Sequence, residues 1–321
     1  MARPHRHIVV FDFDLTFIDV NSDTHVPACL APEVLDYIRA EAKATPWTAL
    51  MAEACARMHA RGVQRAQVEA CLRAMPAAPE LLEAVRAAAA AGARLHVVSD
   101  ANQVFISEFL EAHALAPLFA SVVTNRAAWR ADGLLEVAPH HEAGAPHGCA
   151  RCPPNLCKGR AMDALGLSGG GGGGERGAGG GAEEWAVTYC GDGGGDLCPA
   201  LRLGAGDLVL AREDFALARA LRGESAAAVR AEVREWRDGR ALASALRESP
   251  LLFSRPVQCN GESLSVGAGI GRPDRAPLSP IVLPLHFAAT SPIALIEKPS
   301  RTKSAWCSLS SHTLPRLAKA M

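Results

Sequence analysis

Asp12 and Asp14 close an apolar run, "HIVVFDFD" at residues 7–14. Two acids side by side at a strand tip repel one another, so both stay ionised only beside a cation or strong donors. Mg²⁺ is the simplest such cation, because it takes hard oxygen ligands and keeps some of its own waters. Asp192 supplies a further oxygen from a second run, "WAVTYCGDGGGD", which starts at Trp185. Its glycines let the backbone turn sharply enough for Asp192 and Asp196 to reach one site. A metal held by Asp12, Asp14 and Asp192 leaves positions for water and a phosphate. The remaining groups for phosphoryl transfer follow in chain order. Asp12 can attack phosphorus, and Asp14 can protonate the leaving oxygen and then deprotonate water. Thr16 and Ser99 offer donors to phosphate oxygens, and Lys158 offers a compact positive charge. Asp196 is expected to orient a metal water or Lys158 rather than to ligate.

Those groups need strands that end at a common edge. Strands are expected at residues 8–13, 95–98 and 122–123 and from Trp185 onward. Helical faces lie between them: Val34, Leu35 and Ile38; Leu50, Met51, Ala54, Cys55 and Met58; Val68, Cys71, Leu72 and Met75. Pro27, Pro32, Pro46 and Pro76 punctuate these segments. Alternating strands and helices predict an α/β fold with a Rossmann-like, doubly wound parallel sheet. Ligands bind such sheets at the carboxyl ends of the strands. The expected organisation is a catalytic core at 1–20 and 90–248 and a small helical cap at 21–89. A Gly-rich flexible insertion is expected at 168–182 and a disordered tail at 249–321.

Composition narrows the partners. With 33 Lys and Arg against 34 Asp and Glu, the net charge of −1 supplies no global field for nucleic acid or an anionic membrane. No apolar run approaches the ~20 residues of a membrane span. Strand-like residues begin at Ile8, where a secretory signal would carry its apolar region. The 10 cysteines are scattered through 321 residues, which favours reduced thiols. The expectation is a cytoplasmic protein with a small phosphorylated metabolite as partner.

"DFDLT", "VVSDAN", Lys158 and "GDGGGD" resemble motifs one to four of the haloacid dehalogenase superfamily. "FDFDLTFIDVNSD", "PHGCARCPPNLCK" and "YCGDGGGDLCPALRLGAGDLVLARE" are similar to one branch of it, the phosphoethanolamine/phosphocholine and pyridoxal-phosphate phosphatases. The resemblance covers residues 7 to 247. It implies a Mg²⁺-dependent phosphatase with a helical cap, an aspartyl-phosphate intermediate, and Mg²⁺ on Asp12, the backbone of Asp14 and Asp192. It also implies Asp23 and Asp100 as head-group residues, suited to a cationic amine. Leu15 stands where the branch has Glu, and Gly195 where it has Asn.

Competing readings stay open at this point. Asp12 and Asp14 could be an N-cap and a solvated acid at a strand-to-helix turn, Asp100 could cap a helix starting near Asn102, and Asp23 could close a turn after Asn21. Trp47 could stack on a cationic amine or simply pack. Cys149, Cys152 and Cys157, with His140, His141 and His147 nearby, have the makings of a structural Zn²⁺ site, though plain reduced thiols are the simpler account. Residues 227–248 read as a charged, solvated helix. The same site could serve a pyrophosphatase or phosphotransferase, or survive in an inactive binding module.

Overall fold

A computed structural model describes residues 6–142, 144–168, 185–223 and 225–249. The Gly-rich stretch after Ser168 and the tail after Ser249 lie outside the described residues.

The chain enters through β1 (Arg6–Phe11) and leaves it by a tight turn over Phe13–Phe17. Four helices follow: α1 (Ser22–Leu30), α2 (Pro32–Glu41), α3 (Trp47–Ala60) and α4 (Arg65–Arg73). Helix α3 buries Leu50, Met51, Ala54, Cys55 and Met58, the face its 3.6-residue periodicity marks. Helix α1 runs through Pro27 instead of stopping there. It is short, capped by the Asn21 side chain, and held by its packing on α2 and α4.

Helix α5 (Pro79–Ala90) leads into β2 (Arg94–Asn102), and α6 (Gln103–Ala112) into β3 (Phe119–Trp129). Strand β4 (Leu135–Ala138) turns back antiparallel on β3. After α7 (Lys158–Ala164) come β5 (Trp185–Gly191), α8 (Leu197–Ala200) and β6 (Leu208–Arg212). Helix α9 (Ala216–Arg222), β7 (Glu232–Trp236) and α10 (Gly239–Glu248) close the described fold.

The seven strands lie in the order β4-β3-β2-β1-β5-β6-β7, all parallel except β4. This is the doubly wound α/β architecture. The winding reverses at β1, which pairs with β2 on one side and β5 on the other, so the crevice opens at the carboxyl ends of these three strands. Both faces are covered, as parallel sheets require. Val9, Phe11, Val97 and Leu210 pack toward α5, α6 and α10, while Ile8, Val10, Tyr189 and Val209 pack toward α7, α8 and α9. The helix read over 227–248 is corrected by β7. Residues 232–236 pair with β6, and Trp236 is buried with its indole N–H donating to Leu210 O at 3.0 Å. Apart from a 3-10 turn over Ala226–Ala228, only the stretch from Gly239 onward is helical. The dense charges of an edge strand resemble those of a solvated helix.

Two buried histidines sit in this sheet. His7 bonds Thr188 on the neighbouring strand through Nε2 at 3.1 Å, and His96 bonds Ser121 through Nδ1 at 2.8 Å. Burial pulls both imidazoles down to about 4, with Arg94 adding to the effect on His96. The unfolded chain therefore binds protons that the folded one refuses between the ordinary value of 6.5 and about 4. Stability should be full above that window and fall as pH drops through it. His7 alone would account for about 3 kcal/mol. Urea unfolding at stepped pH checks this, and His7→Gln should flatten the slope in that window by about one proton. An unchanged slope would remove His7 from the account.

Candidate active site

Asp12 is the first residue beyond β1. Its backbone N–H still donates to Cys190 O on β5, at 2.9 Å, so its position is fixed by the sheet. Its Oδ1 accepts from Phe13 N at 2.7 Å, and Oδ2 meets Lys158 Nζ at 2.8 Å. Asp14 is buried, and its Oδ1 accepts from Ser22 N at 2.9 Å. Between Asp14 and Thr16 the chain turns through Leu15, whose φ of 57° is left-handed, a conformation that costs a branched residue roughly 1 kcal/mol or more. The surroundings hold it there: Leu15 N donates to Val20 O at 3.0 Å, and the Arg212 guanidinium donates to Leu15 O.

Thr16 comes back over the sheet, where its hydroxyl donates to Asp192 Oδ1 at 3.2 Å. Ser99 is buried within β2, two residues past the Phe11–Val97 pair that ends its pairing with β1. Lys158 opens α7 and is only 3% exposed. It bridges Asp12 and Asp196, the second at 2.7 Å. Burial alone would pull its ammonium down. The carboxylates of Asp12, Asp196 and Asp100 outweigh that and hold it well above its ordinary value, so it stays charged.

Asp196 is fully buried and surrounded by donors. Lys158 and the Tyr189 hydroxyl, at 2.6 Å, reach Oδ1; the backbone N–H groups of Asp192 (3.0 Å) and Gly193 (2.7 Å) reach Oδ2. With both oxygens so engaged, Asp196 is built to orient its neighbours. The closeness depends on Gly191, where a Cβ would sit 2.6 Å from Asp196 Cγ. Tyr189 was not legible as a site residue. Burial and the nearby Asp196 and Asp12 push its phenol well up, so it remains a neutral donor. The available signal was a polar tip in an apolar strand two residues before Gly191.

Asp12, Asp192 and Asp196 bring carboxylate oxygens within 4.8 Å of one another, all buried. Three buried carboxylates gathered so closely suit a hard divalent cation. The donor set is all oxygen, so these residues fit such an ion.

Beyond this centre, asparagines take the helix-capping positions. Helix α1 is capped by the side chain of Asn21 and α6 by that of Asn102, so neither Asp23 nor Asp100 serves as the cap. Asp23, 4% exposed, accepts from Trp47 Nε1 at 2.6 Å. Asp100 is held by two asparagines: Asn125 donates to its carbonyl at 2.6 Å, and Asn155 approaches its Oδ1 at 3.4 Å. Asp23, Trp47, Asp100, Asn102 and Asn125 line one small cleft. Gly195 leaves space for it, since a Cβ there would come 3.2 Å from Asp100 Oδ2.

The three cysteines of the C-x2-C-x4-C segment converge as well. Cys149, Cys152 and Cys157 form a cluster with Cys198, a partner that spacing alone did not reveal. No helix among the described residues is long and apolar enough to cross a membrane.

Comparison with known proteins agrees with this geometry. The inorganic pyrophosphatase 2 of Arabidopsis thaliana is 34% identical over 268 residues, covering 83% of this chain and 92% of the relative. A thiamine phosphate phosphatase-like protein of the same plant is 35% identical over 231 residues, covering 71% and 89%. A pyridoxal phosphate phosphatase of Bos taurus is 31% identical over 217 residues, covering 67% and 85%. The family model described as "Putative Phosphatase" matches residues 7–250, a span that holds both acidic strand ends and Lys158, and the chain accordingly belongs to that haloacid dehalogenase-type phosphatase family.

Proposed function

We propose that the chain is a Mg²⁺-dependent phosphatase for small phosphomonoesters whose leaving group carries a cationic nitrogen. The observation that carries this is the buried ion-pair chain Asp12–Lys158–Asp196, set beside Asp192 where the sheet winding reverses. Asp12 attacks phosphorus, the ester P–O bond breaks, and Asp14 gives its proton to the departing oxygen. Asp14 then takes a proton from water. The resulting hydroxide attacks phosphorus, releases phosphate and restores the Asp12 carboxylate. Lys158 neutralises Asp12 and the phosphoryl oxygens together, and Ser99 donates to those oxygens. Asp12, Asp192 and the backbone of Asp14 would hold Mg²⁺, which when bound neutralises phosphoryl charge. Asp196 fixes Lys158. The division into a core at 1–20 and 90–248 and a cap at 21–89 belongs to the same proposal, as does a cytoplasmic location.

The substrate class follows from charge. The cleft presents the carboxylates of Asp23 and Asp100 where the leaving group would lie. They favour an amine, thiazolium or pyridinium and disfavour the second phosphate of pyrophosphate. Two of the relatives are named for thiamine phosphate and pyridoxal phosphate, and another for pyrophosphate. Phosphate release from phosphoethanolamine, phosphocholine, thiamine phosphate, pyridoxal phosphate and pyrophosphate, with and without Mg²⁺, tests the reading. A higher kcat/KM for pyrophosphate than for every cationic ester would overturn it.

Trp47 should act through Asp23. A hydrogen bond to a charged group contributes about 1.5–3 kcal/mol, so Trp47→Phe should raise KM for a cationic ester roughly tenfold with little change in kcat. Pyrophosphate turnover should not share that penalty. An equal loss on both substrates would mean that Trp47 merely packs.

A further inference from the structure

We propose that Cys149, Cys152, Cys157 and Cys198 form a structural tetrathiolate Zn²⁺ site that clamps the Lys158 loop to the segment carrying Asp196. Their sulfurs all lie within 4.8 Å of one another. Cys198 Sγ is 3.7 Å from Cys149 Sγ and 3.6 Å from Cys157 Sγ. Four sulfurs about 2.3 Å from a tetrahedral zinc stand about 3.8 Å apart, whereas a disulfide needs about 2.05 Å. Both distances suit zinc ligands and neither suits a disulfide.

The surroundings are those of negative sulfur. Arg202 donates from Nη1 to Cys198 Sγ at 2.8 Å while its Nε pairs with Asp163 at 3.0 Å. The backbone N–H of Arg160 donates to Cys157 Sγ at 3.4 Å. Binding converts four thiols and Zn²⁺ into a complex of net charge −2 and releases four protons; Arg202 offsets part of that charge. Gly159 permits the approach, because a Cβ there would meet Cys198 Sγ at 2.9 Å and the Arg202 guanidinium still closer. His147, one candidate for an imidazole ligand, is otherwise engaged. Its Nδ1 accepts from Cys149 N at 3.0 Å, and its Nε2 lies 2.9 Å from Pro153 O.

The site's place in the chain explains its use. Cys157 immediately precedes Lys158, and Cys198 follows Asp196 by two residues. One ion therefore secures both ends of the Lys158–Asp196 pair, in a loop otherwise poor in regular structure between β4 and α7.

The full-length chain, expressed with zinc and purified without chelator, should hold about one zinc per chain. Replacement by Co²⁺ should give the sulfur-to-cobalt charge-transfer and visible bands of a tetrahedral tetrathiolate, which separates this site from the carboxylate centre. The four cysteines should resist alkylation until the metal is stripped, while the exposed Cys29 reacts at once. Cys198→Ser should lower zinc retention at least about tenfold, and Cys29→Ser should not. A protein that retains no zinc, a cobalt spectrum without thiolate bands, or a disulfide among the four would overturn the proposal. Should Cys198→Ser fail to fold, the wild-type cobalt spectrum still decides.

Discussion

Replacing Asp12 with asparagine is expected to reduce phosphate release by at least about 10⁴-fold, the scale on which losing a covalent nucleophile falls. The amide keeps the volume of the carboxylate, and its Oδ1 can still accept from Phe13 N, as the carboxylate does at 2.7 Å. Lys158 keeps its second partner, Asp196. One negative charge leaves a crowded cluster, so the fold should hold and its melting temperature should change little. Turnover on the preferred ester, circular dichroism and thermal melting of the same preparation make the check. Activity within tenfold of the parent would end the nucleophile assignment. A lost fold would show that the sheet edge depends on this carboxylate in a way the geometry does not suggest.

Lys158→Met is expected to damage both stability and turnover, and the two can be separated. Removing the ammonium leaves Asp12 and Asp196 buried without their common cation, a change that costs about 3–5 kcal/mol. The reaction loses a charge aimed at the phosphoryl oxygens, for about 10²–10³-fold in kcat. Adding Asp196→Asn should recover much of the stability, because taking away both partners of a buried pair is far milder than taking one. It should recover none of the activity. Parallel recovery of both would reduce Lys158 to a structural role. Arginine is no substitute, since its planar fork requires more room than an ammonium wedged between Asp12, Asp196 and the backbone near Gly195.

The site was legible in the sequence where chemistry and strand ends coincide. Asp12, Ser99 and Asp192 follow directly on plain apolar runs, and Lys158 heads a helix. Parallel strands buried on both faces read as continuous apolar stretches, so β1, β2 and β5 stood out. Edge strand β7 did not, because its Val233 and charges face water and only Trp236 is buried. Helix α1 hid behind Pro27. What escaped were contacts made across the fold. Tyr189 and Asp196 meet through the turn after β5, and Thr16 and Asp192 are 176 residues apart. Cys198 joins cysteines 41 to 49 residues earlier. Spacing along a chain carries no information about such meetings.

The proposed reacting groups are drawn from segments scattered between residues 12 and 196, most of them at or beside strands and Lys158 at the start of α7. Asp23 and Trp47, in contrast, come from one uninterrupted piece that leaves β1 and returns at β2. On the function proposed above, a chimera receiving that piece from a relative of different preference should change only the Asp23–Trp47 side of the cleft, because Asp100 and Asn125 stay with the sheet. Selectivity would then be divided between the inserted piece and the strand that carries Asp100.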